Sequence, residues 1–249
     1  MSSMTSAIVA RVGKHAEVAD LAKHSSVPVI NALCDQFHPL QIIADFLTIA
    51  ETNLSASGPS LGLEGLKIAW IGDANNVLYD LAIGATKLGV DMAVATPKGY
   101  SIPSHMREII QSAAANSPTP GKLFETTVPE EAIKDADILV TDTWVSMGQE
   151  EETAKRLAEF KGFQITPELA KRGGAKEGWQ FMHCLPRHAE EVNDEVFYGP
   201  RSVVFREAEN RLWSAICKYL RLVWRVSQGF TNRSLAALEA FVVNKGKIL

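Results

Sequence analysis

From Leu66 onward the chain alternates two hydrophobic patterns. Short, nearly uninterrupted apolar runs occur at Leu66–Gly72 (LKIAWIG), Asp91–Thr96 and Asp137–Thr141 (DILVT). Between and beside them, at Asn76–Leu88 and Ser104–Ala115, apolar residues recur at helical spacing. The first pattern predicts strands buried on both faces, and the second predicts helices with one apolar side. Weaker members of the series are strands at Leu123–Thr126, Trp179–Cys184 and Ser202–Phe205, and helices at Pro129–Lys134, Glu150–Phe160 and Pro167–Arg172. This alternation predicts an α/β fold: a Rossmann-like parallel sheet with helices on both faces.

The preceding stretch is different. Ala7–Val12 (AIVARV) and Val27–Asn31 read as strands around a helix at Ala16–His24, and His38–Thr52 carries a helical apolar stripe. This βαβ fragment is too small to bury a core alone, and reads as the remnant of a second α/β domain. The Ser- and Gly-rich stretch Ser55–Gly65 marks a boundary. The expected division is therefore residues 1–54, 55–206 and 207–249.

Composition narrows the function classes. The 249 residues are 46% hydrophobic, enough for one large domain or two modest ones. Lys plus Arg number 25 against 29 Asp plus Glu, a net charge of -4, which argues against a nucleic-acid partner. No apolar run reaches the ~18 residues of a membrane span. Cys34, Cys184 and Cys217 are too few and scattered for a disulfide framework, which points to a reducing compartment. Met1–Thr5 resembles neither a signal nor a transit peptide.

In an open α/β sheet, ligands bind outside the carboxyl ends of the strands. Those ends carry Asp73-Ala74-Asn75-Asn76, Asp142 through Gly148, and His183-Cys184-Leu185-Pro186. A carboxylate, amides, a hydroxyl and a thiol converging there suit a zwitterionic amino acid. A dinucleotide site is disfavoured: the first turn reads I-G-D-A-N-N rather than G-x-G-x-x-G, so Asp73 and Asn75 would obstruct a pyrophosphate. Each residue also has an ordinary structural role open to it. Asn75 and Asn76 could cap a helix, Asp142 could cap its own loop, Cys184 could be a core cysteine, and His38 could merely precede a helix.

Four segments together resemble the signature segments of ornithine carbamoyltransferases: F-H-P-L-Q (Phe37–Gln41), D-T-W-V-S-M-G (Asp142–Gly148), H-C-L-P-R (His183–Arg187) and F-R-E-A-E-N-R (Phe205–Arg211). The resemblance runs from about Ser6 to Ile216, and aspartate carbamoyltransferases share H-P-x-Q but lack the S-M-G and H-C-L-P pair. It implies the transfer of a carbamoyl group from carbamoyl phosphate to L-ornithine, giving L-citrulline and phosphate. Residues 1–54 would then be the remnant of a carbamoyl phosphate-binding domain and 55–206 an ornithine-binding domain. By position, Arg11, His38, Gln41, Cys184, Leu185 and Arg211 would meet carbamoyl phosphate, with Arg11, His38 and Cys184 nearest the chemistry. Asn76, Asp142, Ser146 and Met147 would meet ornithine. Cys184 is expected to contact the δ-amino group rather than form a covalent intermediate. No metal or organic cofactor is implied. The resemblance also implies a homotrimer and a mitochondrial matrix location, with a cytoplasmic one as the alternative. A non-catalytic amino-acid-binding or regulatory protein, and a carbamoyltransferase for another amino acid, are the competing functions.

The chain departs from the pattern twice. The family's S-T-R-T-R phosphate loop does not occur in it, which predicts that these 249 residues alone lack measurable activity. Residues 217–233 (CKYLRLVWRVSQGFTNR) interrupt what resembles the family's last helix. They read as an atypical insertion, either an ordinary one or, because possible codons for Cys-Lys-Tyr and Phe-Thr-Asn-Arg resemble splice signals, a retained intron.

Overall fold

The computed structural model describes residues 1–53, 62–145 and 150–228. The larger sheet is built from β3 (Lys67–Ile71), β4 (Asp91–Ala95), β5 (Leu123–Thr126), β6 (Ile138–Thr141) and β7 (Gln180–His183). All pair in parallel, in the order β5-β4-β3-β6-β7. The chain builds outward from β3 to one edge, then returns to its other side with β6. The order thus reverses between β3 and β6, which opens a crevice at their carboxyl ends.

The apolar runs become doubly covered strands because alternate side chains serve different cores. Ile68 and Trp70 pack with α3 (Asn76–Leu88), α4 (Ser104–Ala115) and part of α2 (Pro39–Thr52). Ala69 and Ile71 face the opposite layer with Phe160, Leu169, Phe181 and Phe197. That layer includes α5 (Pro129–Ile133), α6 (Thr153–Glu159), α7 (Pro167–Gly173) and α8 (Asp194–Phe197).

Helix boundaries follow local chemistry. Asn75 caps α3 by accepting from the N–H groups of Val77 and Leu78, and Gly89 ends that helix at φ 72. Thr166 caps α7, Pro167 occupies its first turn, and Gly174 ends it at φ 74.

The amino-terminal unit is a parallel pair, β1 (Ile8–Arg11) and β2 (Val29–Leu33), joined by α1 (His15–His24). Helix α2 packs against β2, α3 and the final helix α9 (Val204–Gln228). The chain's last described helix therefore returns to the segment that follows β2.

Three sequence expectations change. Ser202–Phe205 is not a strand: Ser202 makes one isolated bridge with Phe181, and Val204 already begins α9. The β-branched pair Val203-Val204 suggested extension, but the Val203 carbonyl accepts from the N–H of Glu207, within the first turn of the helix. The Glu150–Phe160 helix divides into a 3-10 turn, Glu150–Glu152, and α6. Short α8 went unread, although Asn193 caps it through the Val196 N–H. The segment 217–233 is helical in backbone through Gln228, while its side chains and residues from 229 lie outside the described residues.

Candidate active site

Asp142 stands just past β6, at the reversal point. Its Oδ2 accepts from Asn75 Nδ2 at 2.7 Å, across the crevice from β3. Its Oδ1 accepts from its neighbour Thr143 N at 2.7 Å and from Cys184 Sγ at 3.1 Å. Three strand ends thus converge on one carboxylate. The Asn75 cap makes this possible: its Oδ1 faces the helix, so its Nδ2 faces Asp142. The expected partner Asn76 is engaged differently, donating to the Cys34 carbonyl at 2.8 Å and tying α3 to the end of β2. Ser146 and Met147 lie outside the described residues.

Cys184 is partly buried, and burial, followed by the nearby Asp142 charge, raises its thiol well above the ordinary range. It is a protonated donor at neutral pH and a poor nucleophile. Alkylation of this thiol should therefore be slow at neutral pH compared with a free thiol. Cys184→Ser keeps an O–H donor for Asp142, and should lower turnover while leaving the denaturation midpoint nearly unchanged. Unfolding without a kinetic effect would show that the thiol is only structural.

The turn after Cys184 is held from behind. His183 Nδ1 accepts from Leu185 N at 2.9 Å, so its Nε2 carries the proton and faces Glu191 at 3.3 Å. Leu185, at φ 60, is in the left-handed region that costs a side-chain-bearing residue energy. Its N–H is committed to His183, so Leu185 can serve a ligand only through its carbonyl, which suits a carbamoyl NH2. Asp142, His183 and Cys184 lie close enough to hold a metal, but both His183 nitrogens are already engaged.

Beside this carboxylate lies a cationic array. Arg211 of α9 donates through Nη1 to Gln41 Oε1, and to His38 Nε2 at 3.4 Å. His38 precedes α2, its N–H donating to Asp80 at 2.7 Å. Burial, then the charges of Arg211 and Arg11, lowers the His38 imidazole to about 3. It is neutral throughout the physiological range, so no titration near 6.5 should be seen for it by NMR. Arg11 is exposed at the end of β1, yet near enough to act on both His38 and Arg211. Arg211 also feels Cys184, so the thiol lies between the two halves of the site.

Sequence reasoning missed several supporting residues. Arg156 of α6 is almost buried, pairing with Asp73 at 2.6 Å and donating to the Trp144 carbonyl at 2.9 Å. It clamps the β3 and β6 loops together. Asp73, read as an obstruction to a pyrophosphate, serves this pair, although burial still raises its carboxyl. Arg156→Met should cost about 3–5 kcal/mol, since it strands a buried carboxylate. Urea denaturation would check this, and a loss under about 1 kcal/mol would show the pair to be solvated. The missed signal was an arginine on an otherwise charged surface helix, which sequence alone cannot distinguish from its exposed neighbours.

The fold and site define an α/β protein with a carboxylate held between three strand ends at the sheet's reversal point, beside an array of arginine, histidine and glutamine side chains. Profiles of two domains match the sequence: "Aspartate/ornithine carbamoyltransferase, Asp/Orn binding domain" over residues 64–217, and the carbamoyl-P binding domain over 1–51. The chain belongs to the aspartate/ornithine carbamoyltransferase family. It is 71% identical over 250 aligned positions to the mitochondrial ornithine carbamoyltransferase of Emericella nidulans, covering all of this chain and 64% of that protein. The crystal structure of the mitochondrial enzyme from Coccidioides immitis superposes with a TM-score of 0.82 at 67% identity, covering 89% of this chain and 68% of that one. The Pyrococcus furiosus ornithine carbamoyltransferase gives 0.78 at 43% identity, covering 88% and 67%. The chain thus spans about 64% of the length of the Emericella relative.

Proposed function

We propose that the chain is the ornithine-binding and carbamoyl-facing part of an ornithine carbamoyltransferase. Residues 55–206 take ornithine, residues 1–54 face carbamoyl phosphate, and 207–249 return to them through α9. The observation that carries this is the adjacency of Asp142, held by Asn75 and Cys184, to the Arg211–Gln41–His38 array.

Each half suits one substrate. Asp142 has one Oδ2 lone pair left for an ammonium group and repels a second carboxylate. Asn76, Ser146 and Met147 complete the amino-acid side in this reading. Arg11, His38, Gln41 and Arg211 face the carbamoyl group and one side of the phosphate, with Cys184 and Leu185 at the carbamoyl end.

In the reaction, the uncharged δ-amino nitrogen attacks the carbamoyl carbon and forms the new C–N bond. The C–O bond to phosphate then breaks, its electron pair leaving with the phosphate, and the amine's extra proton is released. The amine must be deprotonated first, since its ordinary pKa is near ~10. Arg211 and Arg11 stabilise the oxyanion that attack creates. Neutral His38 holds its place beside Arg211 without adding a competing charge. A protonated Cys184 beside Asp142 orients the amine and forms no covalent bond.

The relatives named above from Emericella and Coccidioides are mitochondrial enzymes, and a mitochondrial matrix location is the corresponding reading here. No helix among the described residues is long and apolar enough to cross a membrane. A homotrimer is proposed on the family resemblance, and light scattering checks it.

The functional test is citrulline formation from carbamoyl phosphate and ornithine. The chain is assayed alone and joined to the amino-terminal region of a relative carrying S-T-R-T-R. Citrulline from the joined protein supports the reading. None from a folded, trimeric joined protein counts against it.

A further inference from the structure

Behind the cationic array, α2, α9 and β7 meet at a pair of buried acids. Asp45 is 3% exposed and Glu207 1% exposed. Gln41 Nε2 donates to both, to Asp45 Oδ1 at 2.8 Å and Glu207 Oε1 at 2.9 Å. Its Oε1 accepts from Arg211. The other Glu207 oxygen accepts from His183 N at 2.9 Å, one residue before Cys184. One amide nitrogen thus bonds an oxygen of each carboxyl, which makes the two acids close neighbours.

This arrangement leaves Gln41 only one amide orientation. A flip would set its carbonyl against two carboxyl groups and its NH2 against a guanidinium. Two buried carboxyls bridged by one amide nitrogen resist ionising together, so one of them keeps a proton more readily than an isolated acid.

We propose that Asp45 and Glu207 are positioning residues that hold one proton between them, fixing Gln41 and Arg211 in the orientation that carbamoyl phosphate requires. This deepens the proposed function and rests on it.

The surrounding charges agree with a single shared proton. Arg211 approaches from α9, Asp142 and Cys184 approach from the loops after β6 and β7, and Arg11 and His38 lie beyond Arg211. With one proton, the pair carries one negative charge that balances Arg211. With none, a second buried negative charge would face Asp142. Burial, the largest cause, raises both carboxyls, which favours retention of one proton by the pair. The folded state favours the protonated pair. Its contribution to stability is therefore full below the ordinary carboxylate range, and falls as pH rises through the raised value.

Two measurements need no substrate. An infrared difference spectrum of wild type minus Asp45→Asn at neutral pH should show the carbonyl stretch of a protonated carboxyl. The amide introduced by Asp45→Asn can accept from Gln41 and donate to Glu207, so it stands in for the shared proton and lets Glu207 ionise. The Gln41 side-chain amide resonances should keep their positions in Asp45→Asn and shift in Glu207→Gln, whose own NH2 would oppose that of Gln41. A difference spectrum without the band, or Gln41 resonances unmoved by Glu207→Gln, overturns the proposal.

The third measurement is carbamoyl phosphate affinity by calorimetry, with wild type and variants all joined to the amino-terminal region that carries S-T-R-T-R. Asp45→Asn should stay within about threefold of wild type, whereas Asp45→Leu should weaken binding by about tenfold or more. If Asp45→Leu does not fold, Glu207→Gln gives the same comparison. Equal affinity in all variants overturns the positioning role. No binding by wild type would count against the proposed function, while the infrared and amide readings would still decide whether the proton is shared.

Discussion

Asp142→Asn should weaken ornithine binding by about 30- to 1,000-fold, the loss expected when one partner of a desolvated charge pair is neutralised. The substitution preserves shape. The introduced amide oxygen can still accept from Thr143 N and Cys184 Sγ, the bonds that hold the loop after β6 in place. What it removes is the negative charge, together with the acceptor that Oδ2 offers to Asn75 Nδ2, at a point where strands β3, β6 and β7 all direct polar groups. The folded structure should survive, at a cost of about 1–2 kcal/mol for the lost Asn75 bond. Calorimetric titration with ornithine in the presence of carbamoyl phosphate measures the effect. Aspartate affinity should not fall, because the same change removes a repulsion. An ornithine affinity within about threefold of wild type would show that Asp142 serves only its loop.

Arg211→Lys should lower the rate of citrulline formation by about 100- to 1,000-fold in the joined protein, the size expected for losing one oxyanion donor. Lysine keeps the charge but loses the planar fork. In the wild type, one guanidinium nitrogen bonds both Gln41 and His38. In the proposed function, the rest of the group faces the carbamoyl oxygen. An ammonium on a flexible stem cannot hold both neighbours and that oxygen in one geometry. A kcat within about threefold of wild type would show that Arg211 is a structural residue of α9.

Much of the fold was legible because β3, β4 and β6 are buried on both faces, which writes continuous apolar runs into the sequence. The α3 and α4 boundaries were equally readable, since apolar period and end signals agree there. Ser202–Phe205 failed for the opposite reason. Its β-branched residues suggest a strand, but long-range hydrogen bonds by Glu207 to His183 and Gln41 accompany the start of a helix there. Local pattern carries no trace of such contacts.

The candidate site divides in the same way. Asp142 and Cys184 were placed by a rule about strand ends, and the structure brings them into contact. Asn75 and Asn76 could not be told apart from sequence, because their roles depend on which one caps α3. Asp45 offered a faint signal, an acid on the apolar stripe of α2 four residues after Gln41. Glu207 lay inside a quoted motif with no role attached. Their pairing joins residues 162 positions apart, and only the packing of α9 on α2 reveals it.

Product analysis tests the central claim most directly. Carbamoyl phosphate is supplied with equal concentrations of ornithine and aspartate to the chain joined to a phosphate-loop-bearing amino-terminal region. Citrulline should be the dominant product, and should be lost in Asp142→Asn. Carbamoyl-aspartate as the dominant product, or citrulline formed equally well without the Asp142 charge, would contradict that claim.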